Sequence, residues 1–598
     1  MIIELFGLPA SGKTTLAELI QEKTGFKIIK ISNKTELFFY NIIYFIEHPV
    51  NFIASFVYTV INSNDLKIFR YKLINAVLYQ NAKYQKALST ENAILDQGFC
   101  QNFLSIFETV LDPASFLRFS KFIELPDKLI IIDLDLDETQ DRSTQRGYWA
   151  RGRFGENYLK KWKYFLKLNF ELFKTKSRSF GIPVKILNGN DGVDENYLKI
   201  EDFLKQNNGL TYIANVKLPT EKARGLQIIK ACESFAETGA PLKLLVPSGR
   251  PPITADPFEY YRAKKIFRLI KLPNINISAI FPFAKRFDFY TQSLTFGFFV
   301  VIYLFFKRDN NSIVYSRDYS VLLFLAIFGF NPIAEIHDYR TKKPKIMLSH
   351  ILKKSRKIIV NSTGTLKLLE QHYPKIEHSK VLVVPNGVDV SFFNIGMTKD
   401  EARDKLKMPR DAFIFGYVGR LETAGKEKGI SDLITAFSLI IEKNKIAVLF
   451  IVGGPNDLKE QYKRGLSDDD SREKIVFTGQ VDYQLIPIYL KAIDCAIIPL
   501  PNNQHAKTTS PIKLFEYMAA GKPIIISKLA SLNEIVGCSD VLQFEPGNPQ
   551  DLAKKMDFII NNPQIISQLS EHSKENAEKY SWSNRARKIS KFISTDGN

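Results

Sequence analysis

Short β-branched runs alternate with longer amphipathic stretches along the whole chain, a rhythm that confines it to α/β architectures built on parallel sheets. A first block carries apolar runs at 2–6, 26–31, 93–95, 129–134 and 184–187, and its last helix ends near the polar stretch KQNNGL at 205–210. A second block repeats the alternation at 211–214, 242–246, 312–315, 332–336, 358–360 and 381–384. A third follows VPNGVD (384–389), with strands expected at 413–418, 447–452, 475–477, 495–498 and 523–526. A length of 598 residues accommodates three such blocks. No short-period repeat points to a solenoid.

The 45% hydrophobic and 24% charged content excludes a disordered or fibrous chain. Lys and Arg number 82 against 63 Asp and Glu, and the net charge of +19 favours anionic partners: nucleotides, phospholipid head groups or nucleic acid. No DNA- or RNA-reading motif is present, so nucleic acid is set aside. Cys100, Cys232, Cys495 and Cys538 are scattered with no C-x-x-C pair, which reads as four reduced core thiols in a cytoplasmic protein. The N-terminal residues lack the basic and apolar regions of a signal peptide. The most apolar run, 294–306, falls short of the roughly 18 residues a bilayer span needs.

Gly7-Leu8-Pro9-Ala10-Ser11-Gly12-Lys13-Thr14 fits G-x-x-x-x-G-K-[ST] between an apolar strand and an amphipathic helix, the context that motif requires. Gly7 and Gly12 let the backbone curl so that N–H groups, with Ser11, face phosphate oxygens at a helix N-terminus. Lys13 supplies a point charge for the β- and γ-phosphates, and Thr14 is placed to ligate Mg²⁺. Asp96, where a strand ends, is a candidate to assist Mg²⁺ or accept a substrate proton; the alternative is a solvated strand-end carboxylate. Arg142, Arg146, Arg151 and Arg153 could close over transferring phosphates, or form a solvated basic face. Over about 1–205 this arrangement resembles the small-molecule and nucleotide kinases of the P-loop superfamily, which implies Mg-ATP as ligand. The acidic run 133–137 imitates a D-x-D metal motif but is read as a loop start.

A denser constellation occupies the third block. Gly416-Tyr417-Val418-Gly419-Arg420 ends a strand, Lys428-Gly429 precedes a helix, and Val452-Gly453-Gly454-Pro455 forms a strand-turn. Ser510-Pro511-Ile512-Lys513-Leu514-Phe515-Glu516 opens a helix that closes on Gly521. The second block adds Thr220-Glu221-Lys222-Ala223-Arg224-Gly225, Tyr315-Ser316-Arg317, Glu335-Ile336-His337-Asp338 and Pro385-Asn386-Gly387-Val388-Asp389. In order and spacing these segments, from about 211 to 582, resemble the retaining GT-B-fold glycosyltransferases of family 4.

The resemblance implies two Rossmann-like domains in a GT-B arrangement after the P-loop parallel-sheet domain: 1–205, 209–392 on the acceptor side, 393–575 for the nucleotide-sugar, and a 576–598 helix crossing back. Cleavage of a sugar nucleotide leaves charge on the β-phosphate, which Arg420 and Lys428 would stabilise, with N–H donors of the helix at Ser510. The resemblance gives Glu516 the ribose hydroxyls, Gly453 a place in the donor loop, and His337 a position facing the transferred sugar. It implies no metal at this site and no protein nucleophile. Two departures stand out: Thr508 occupies the position of an expected Glu, and the 421–427 segment is long enough that Lys426 competes with Lys428.

Aromatic residues interleaved with basic ones at 281–308, and lysines at 342–357, suit peripheral contact with an anionic membrane face, or a core helix beside a solvated basic one. The expected protein is therefore a cytoplasmic glycosyltransferase of surface polysaccharide assembly, free or peripheral at the inner face of the membrane, acting on a glycan or lipid-linked acceptor. It carries a fused ATP-binding domain that phosphorylates a small molecule or sugar. The alternatives are a transferase gated by a non-catalytic nucleotide sensor, and a glycan- or lipid-binding scaffold.

Overall fold

The computed structural model describes residues 1–145, 151–205, 209–221, 223–249, 251–275, 287–306, 312–337, 345–423, 425–466 and 469–594. Three parallel sheets follow one another along the chain. The first holds β1 (Ile2–Gly7), β2 (Lys27–Ile28), β3 (Ala93–Leu95), β4 (Lys128–Asp133) and β5 (Val184–Asn188), in the order β2-β3-β1-β4-β5. β1 is central and buried along its whole length. One face packs Phe6 against Phe173, ring centroids 3.8 Å apart, and the other packs Leu16, Ala17 and Ile20 of the helix Lys13–Thr24.

The second sheet comprises β6 (Leu210–Ile213), β7 (Leu242–Pro247), β8 (Arg268–Leu272), β9 (Ile313–Ser316), β10 (Ile333–Ile336), β11 (Lys357–Val360) and β12 (Val381–Val383), in the order β12-β11-β10-β9-β6-β7-β8. The third comprises β13 (Phe413–Val418), β16 (Ala447–Val452), β17 (Ile475–Gly479), β18 (Cys495–Ile498), β19 (Ile524–Ser527) and β20 (Leu542–Phe544), in the order β17-β16-β13-β18-β19-β20. A small antiparallel hairpin, β14 (Glu422–Thr423) and β15 (Lys426–Glu427), fills the long segment after β13.

Besides this hairpin, two strands of the parallel sheets have no counterpart in the sequence pattern, β8 and β20, and both are sheet edges. In β8, Arg268 and Lys271 interrupt the apolar run, as charges on an edge strand do. Arg268 also ties the second sheet to the first body, donating from Nη2 to the carbonyls of Leu125 and Pro126, each at 2.8 Å. The expectation of four core thiols is corrected at Cys538, which is exposed in the polar turn before β20 while the other three are buried.

The last two sheets are joined twice. At the hinge after β12, Val388 donates to Tyr580 O at 3.0 Å and Trp582 donates to Val388 O at 3.1 Å, so outgoing and returning chains pair. The helix Trp582–Ser594 then lays Trp582, Ala586, Ile589 and Ile593 into the core of the second sheet beside the helix Ala223–Glu237. Parallel strands present their C-terminal ends together, so the loops after β9, β10, β12, β13 and β16 gather around one cleft, the usual ligand edge of open α/β sheets.

Candidate functional site

On the third-sheet side, the helix Ile512–Ala519 starts at Pro511 with no side-chain cap, leaving its first N–H groups available. In its first turn, Lys513 lies 3.8 Å over the Tyr417 ring and donates to the Tyr417 hydroxyl at 2.5 Å. Burial, reinforced by the charge of Lys428, lowers Lys513 to about 7. Lys428 is itself half-buried and lowered by burial and Lys426. Two ammonium groups held together with their charge disfavoured make a ready receptor for an anion. Lys426 is exposed on β15, so the geometry favours Lys428 for a phosphate contact. Arg420 is exposed at the end of β13, where its carbonyl accepts from the Tyr417 hydroxyl.

Glu516, on the same helix face as Lys513 (i, i+3), accepts from the Tyr483 hydroxyl at 3.2 Å and is raised by burial to about 7. Glycine is required at two close approaches nearby. A Cβ at Gly453 (φ +138°) would meet Gly419 O at 2.0 Å, and one at Gly429 (φ +81°) would meet Pro499 O at 1.6 Å. Ser510 is buried in the joint between sheets, its hydroxyl accepting from Asn386 N at 3.0 Å and its carbonyl from Asn386 Nδ2 at 2.6 Å. Thr508 is turned back onto its own helix, its hydroxyl donating to Gln504 O, while its carbonyl accepts from Ser362 at 2.8 Å.

Across the cleft, His337 follows β10 and its Nε2 lies 2.5 Å from Glu335 Oε1. The same oxygen accepts from Arg585 Nη2 at 2.5 Å, and Oε2 accepts from the Tyr315 hydroxyl at 2.7 Å. Burial would raise the Glu335 carboxyl, but Arg585 and then His337 hold it well below the usual range. His337 is lowered to about 4, by burial and Arg317 first, so its ring is neutral near pH 7 and Glu335 fixes its orientation. Arg224 pairs with Asp318, and a Cβ at Gly225 would strike the Tyr261 hydroxyl at 2.1 Å. Between the sheets a cleft partly open to solvent is lined by Lys230, Tyr260, Arg262, Asp389, Tyr483 and Glu516. Lys230 bridges the halves, its Nζ 3.0 Å from both Glu233 and Asp389.

In the first sheet, the 7–14 loop joins β1 to the helix Lys13–Thr24. Gly12 takes φ +94° at an N-cap without a side-chain bond, and a Cβ at Gly7 would meet Ser11 Oγ at 2.7 Å and Ile132 O at 2.9 Å. Lys13 folds over the loop, donating to Gly7 O at 2.9 Å and Leu8 O at 2.6 Å, and burial lowers it to about 7. Thr14 is exposed beside it, and Ser11 is buried. Asp96 follows β3, pairs with Lys83 at 2.9 Å and acts on Lys13 through its charge. Arg142 donates to Gly189 O at 3.2 Å in the loop after β5. Arg151 is buried, held by Ser105 O and Tyr158 and stacked 4.7 Å from Trp162, so it supports the fold and does not line the loop. Arg146, Lys222 and Asp338 lie outside the described residues.

Residues 412–562 match the family model for glycosyl transferases group 1, so the C-terminal part of the chain carries a domain of that class. The chain is 27% identical over 213 residues to an uncharacterized glycosyltransferase, MJ1607, of Methanocaldococcus jannaschii, covering 35% of this chain and 52% of that protein. Over 221 residues it is 27% identical to the serotype-specific mannosyltransferase WbdA of Escherichia coli, 36% of this chain and 26% of that one. It thus spans about half or less of the length of these relatives. A glycosyltransferase structure from Rickettsia africae aligns with 65% of this chain and 98% of its own at a TM-score of 0.52 and 17% identity, a likeness of fold.

Sequence reasoning quoted Lys513 and Glu335 inside longer segments without assigning them a role, and passed over Tyr483 and Arg585. The i, i+3 spacing of Lys513 and Glu516 was a readable signal. Nothing local marks Arg585, which meets Glu335 from 250 residues away.

Proposed function

We propose that the chain is a retaining glycosyltransferase that moves a sugar from a nucleotide-sugar donor to a glycan or lipid-linked acceptor in surface polysaccharide assembly. The observation that carries this reading is the cluster of Lys428, Lys513 and Glu516 beside the uncapped 512–519 helix, within the segment matching glycosyl transferases group 1. Lys428 and Lys513, with Arg420 from the β13 loop, hold the donor diphosphate and take up the charge that develops as the C1–O bond breaks. Glu516 accepts from the ribose hydroxyls. His337, neutral and fixed by Glu335, presents its ring to the transferred sugar. The acceptor enters from the side of Gly225 and Arg224, and its proton passes to the leaving phosphate on the same face. Arrival of the diphosphate restores the charge that burial suppresses on Lys513.

The first 205 residues are proposed as an ATP-binding, kinase-like domain acting on a small molecule or sugar. The uncapped N-terminus at Gly12, the tight Gly7 contact and Lys13 suit a triphosphate. Thr14 would hold Mg²⁺, which supplies charge neutralisation to the phosphates. Asp96 is the base for a substrate hydroxyl, and Arg142 stands at the edge of the same strand ends. Peripheral membrane contact is assigned to the helix Asp288–Phe306, which buries Phe296, Val300 and Leu304 and exposes Tyr290, Leu294 and Phe298. Among the described residues no helix is long and apolar enough to cross a membrane.

The test is donor turnover. With a panel of nucleotide-sugars, the chain is expected to hydrolyse or transfer from at least one, and Arg420→Ala and Lys513→Ala to lose that turnover while keeping the parent's melting temperature. Donor binding without turnover would leave the scaffold reading in its place.

A further inference from the structure

Two consecutive helices of the first body, Lys34–Glu47 and Pro49–Ile61, are built inside out. Their outward stripe is apolar: Phe38, Phe39, Ile42, Phe45 and Ile46 recur at i, i+1, i+4, i+7 and i+8, and Val50, Ile53, Val57 and Ile61 continue it at every third or fourth position. Phe38, Ile46 and Ile61 are each about seven-tenths exposed, at 69%, 71% and 71%. Inward they bury Asn41, Ser55 and Thr59 together with Tyr44. Asn41 Nδ2 donates to Leu37 O at 2.8 Å and to Leu78 O at 2.9 Å on the neighbouring helix, and Thr59 donates to Ser55 O at 2.7 Å within its own helix, so Asn41 ties the polar side to the body. A helix on a water-facing surface carries the opposite pattern, and exposed apolar area of this extent marks an interaction site.

We propose that this helix pair lies in the interface of an anionic lipid bilayer. From residue 37 to residue 64 the only formally charged side chain is Glu47. Glu47 accepts from Gln85, and neighbouring His48 sits 2.8 Å from Glu124, so both polar groups at the bend are engaged with the body. Exposed cations rim the pair: Lys30 before it and Lys34 at its first position, Lys67 and Arg70 after it, with Arg118 and Lys121 on the neighbouring segment that packs against Tyr58. An apolar stripe bordered by Lys and Arg complements acyl chains and anionic head groups. A second copy docked here would bring two cationic rims together, which like-charge repulsion disfavours. The helices have 14 and 13 residues, too short to span, so they lie along the surface. This face belongs to the phosphate-loop body and is separate from the 288–306 helix. It holds whether or not the transferase reading does.

The experiment is flotation of the full chain with vesicles of phosphatidylcholine containing about 30 mol% phosphatidylglycerol, against phosphatidylcholine alone. The chain is expected to float with the anionic vesicles and to be released by salt. Phe39→Asp, Ile46→Asp and Ile53→Asp combined should lower partitioning at least about tenfold with donor turnover and melting temperature unchanged. Lys34→Glu with Lys67→Glu should weaken it and flatten its salt dependence. Unchanged partitioning of the triple variant overturns the proposal. So does a parent that ignores vesicles but dimerises through this face, the triple variant being monomeric. Failure of the transferase reading would show as absent turnover in the parent with vesicle binding intact.

Discussion

Arg585→Met removes the cation that compensates Glu335, and the consequence can be worked from the geometry. Arg585 is buried, as is Glu335, and Nη2 donates to Oε1 at 2.5 Å while Nε donates to Pro385 O at 2.8 Å. Deleting one partner of a buried pair leaves the other charge uncompensated, at a cost of about 3–5 kcal/mol. For a cooperative unit the size of the second sheet and its helices, that corresponds to a melting temperature lower by on the order of 10 °C. The pH dependence separates this from a packing defect. In the parent, Glu335 titrates well below its ordinary 4.5, so its contribution is complete above that value and fades only as pH falls through the folded pKa. In the variant the principal cation is gone, so burial pushes the carboxyl upward from its position in the parent. The deficit is therefore largest at pH 7 and narrows as pH falls toward 5. Thermal denaturation of parent, Arg585→Met and Glu335→Gln/Arg585→Met across that range is the assay, with the double variant expected to recover much of the loss at pH 7. A deficit independent of pH, or a double variant no more stable than the single, would refute the reasoning.

Three further outcomes are expected. Lys13 sits near 7 because of burial, so at pH 8 triphosphate binding should take up close to one proton; calorimetry in buffers of different ionisation enthalpy measures it, and Lys13→Met should abolish the uptake and weaken binding at least about tenfold. Glu516 and Lys513 both titrate near 7 in opposite senses of usefulness, so donor affinity should be bell-shaped around neutrality; Glu516→Gln should lose the acid limb and Lys513→Met the alkaline one, whereas parallel profiles would exclude these roles. Gly429→Ala drives a Cβ to 1.6 Å from Pro499 O and should cost more than about 3 kcal/mol in urea unfolding, while Gly425→Ala, left-handed but facing open space, should cost only about 1 kcal/mol.

What could be read in advance was whatever is contiguous. The 7–14 loop, the β13 and β16 turns and the 510–521 helix each hold their chemistry within one strand, turn or helix, so spacing alone exposes it. The group that orients His337 is assembled from β9, β10 and the last helix, and Arg585 in sequence is one cation among several in a basic amphipathic segment. Edge strand β8 was hidden by Arg268 and Lys271, which break its apolar run. The helices at 34–61 show why periodicity has a limit. It identifies an apolar stripe, but not whether that stripe turns to the core or to the outside; here Asn41, Ser55 and Thr59 are the buried side, with Asn41 bonded to Leu78 O.

Depressed lysines make the sharper distinction: burial lowers Lys13, Lys72, Lys128, Lys513 and Lys522 to about 7 or 8, and of these five only Lys13 and Lys513 belong to candidate sites, Lys128 being taken up by Phe203 O. Lys72 is lowered to about 8 and Lys522 to about 7, each by burial, much as Lys13 and Lys513 are. Lys72 is spoken for, with Glu108 at 2.9 Å and Ile106 O at 2.9 Å. Lys522 donates to Lys491 O and Ile493 O just before β18 begins, at the N-terminal edge of its sheet, where it ties chain segments together. Lys13 and Lys513 stand instead at the C-terminal edges of β1 and β13, each beside a helix start with no side-chain cap. A depressed lysine alone therefore reports burial. Set beside uncapped N–H groups at the ligand edge of a parallel sheet, it reports an anion site, because only there can an incoming phosphate satisfy the helix terminus and recharge the ammonium in one step.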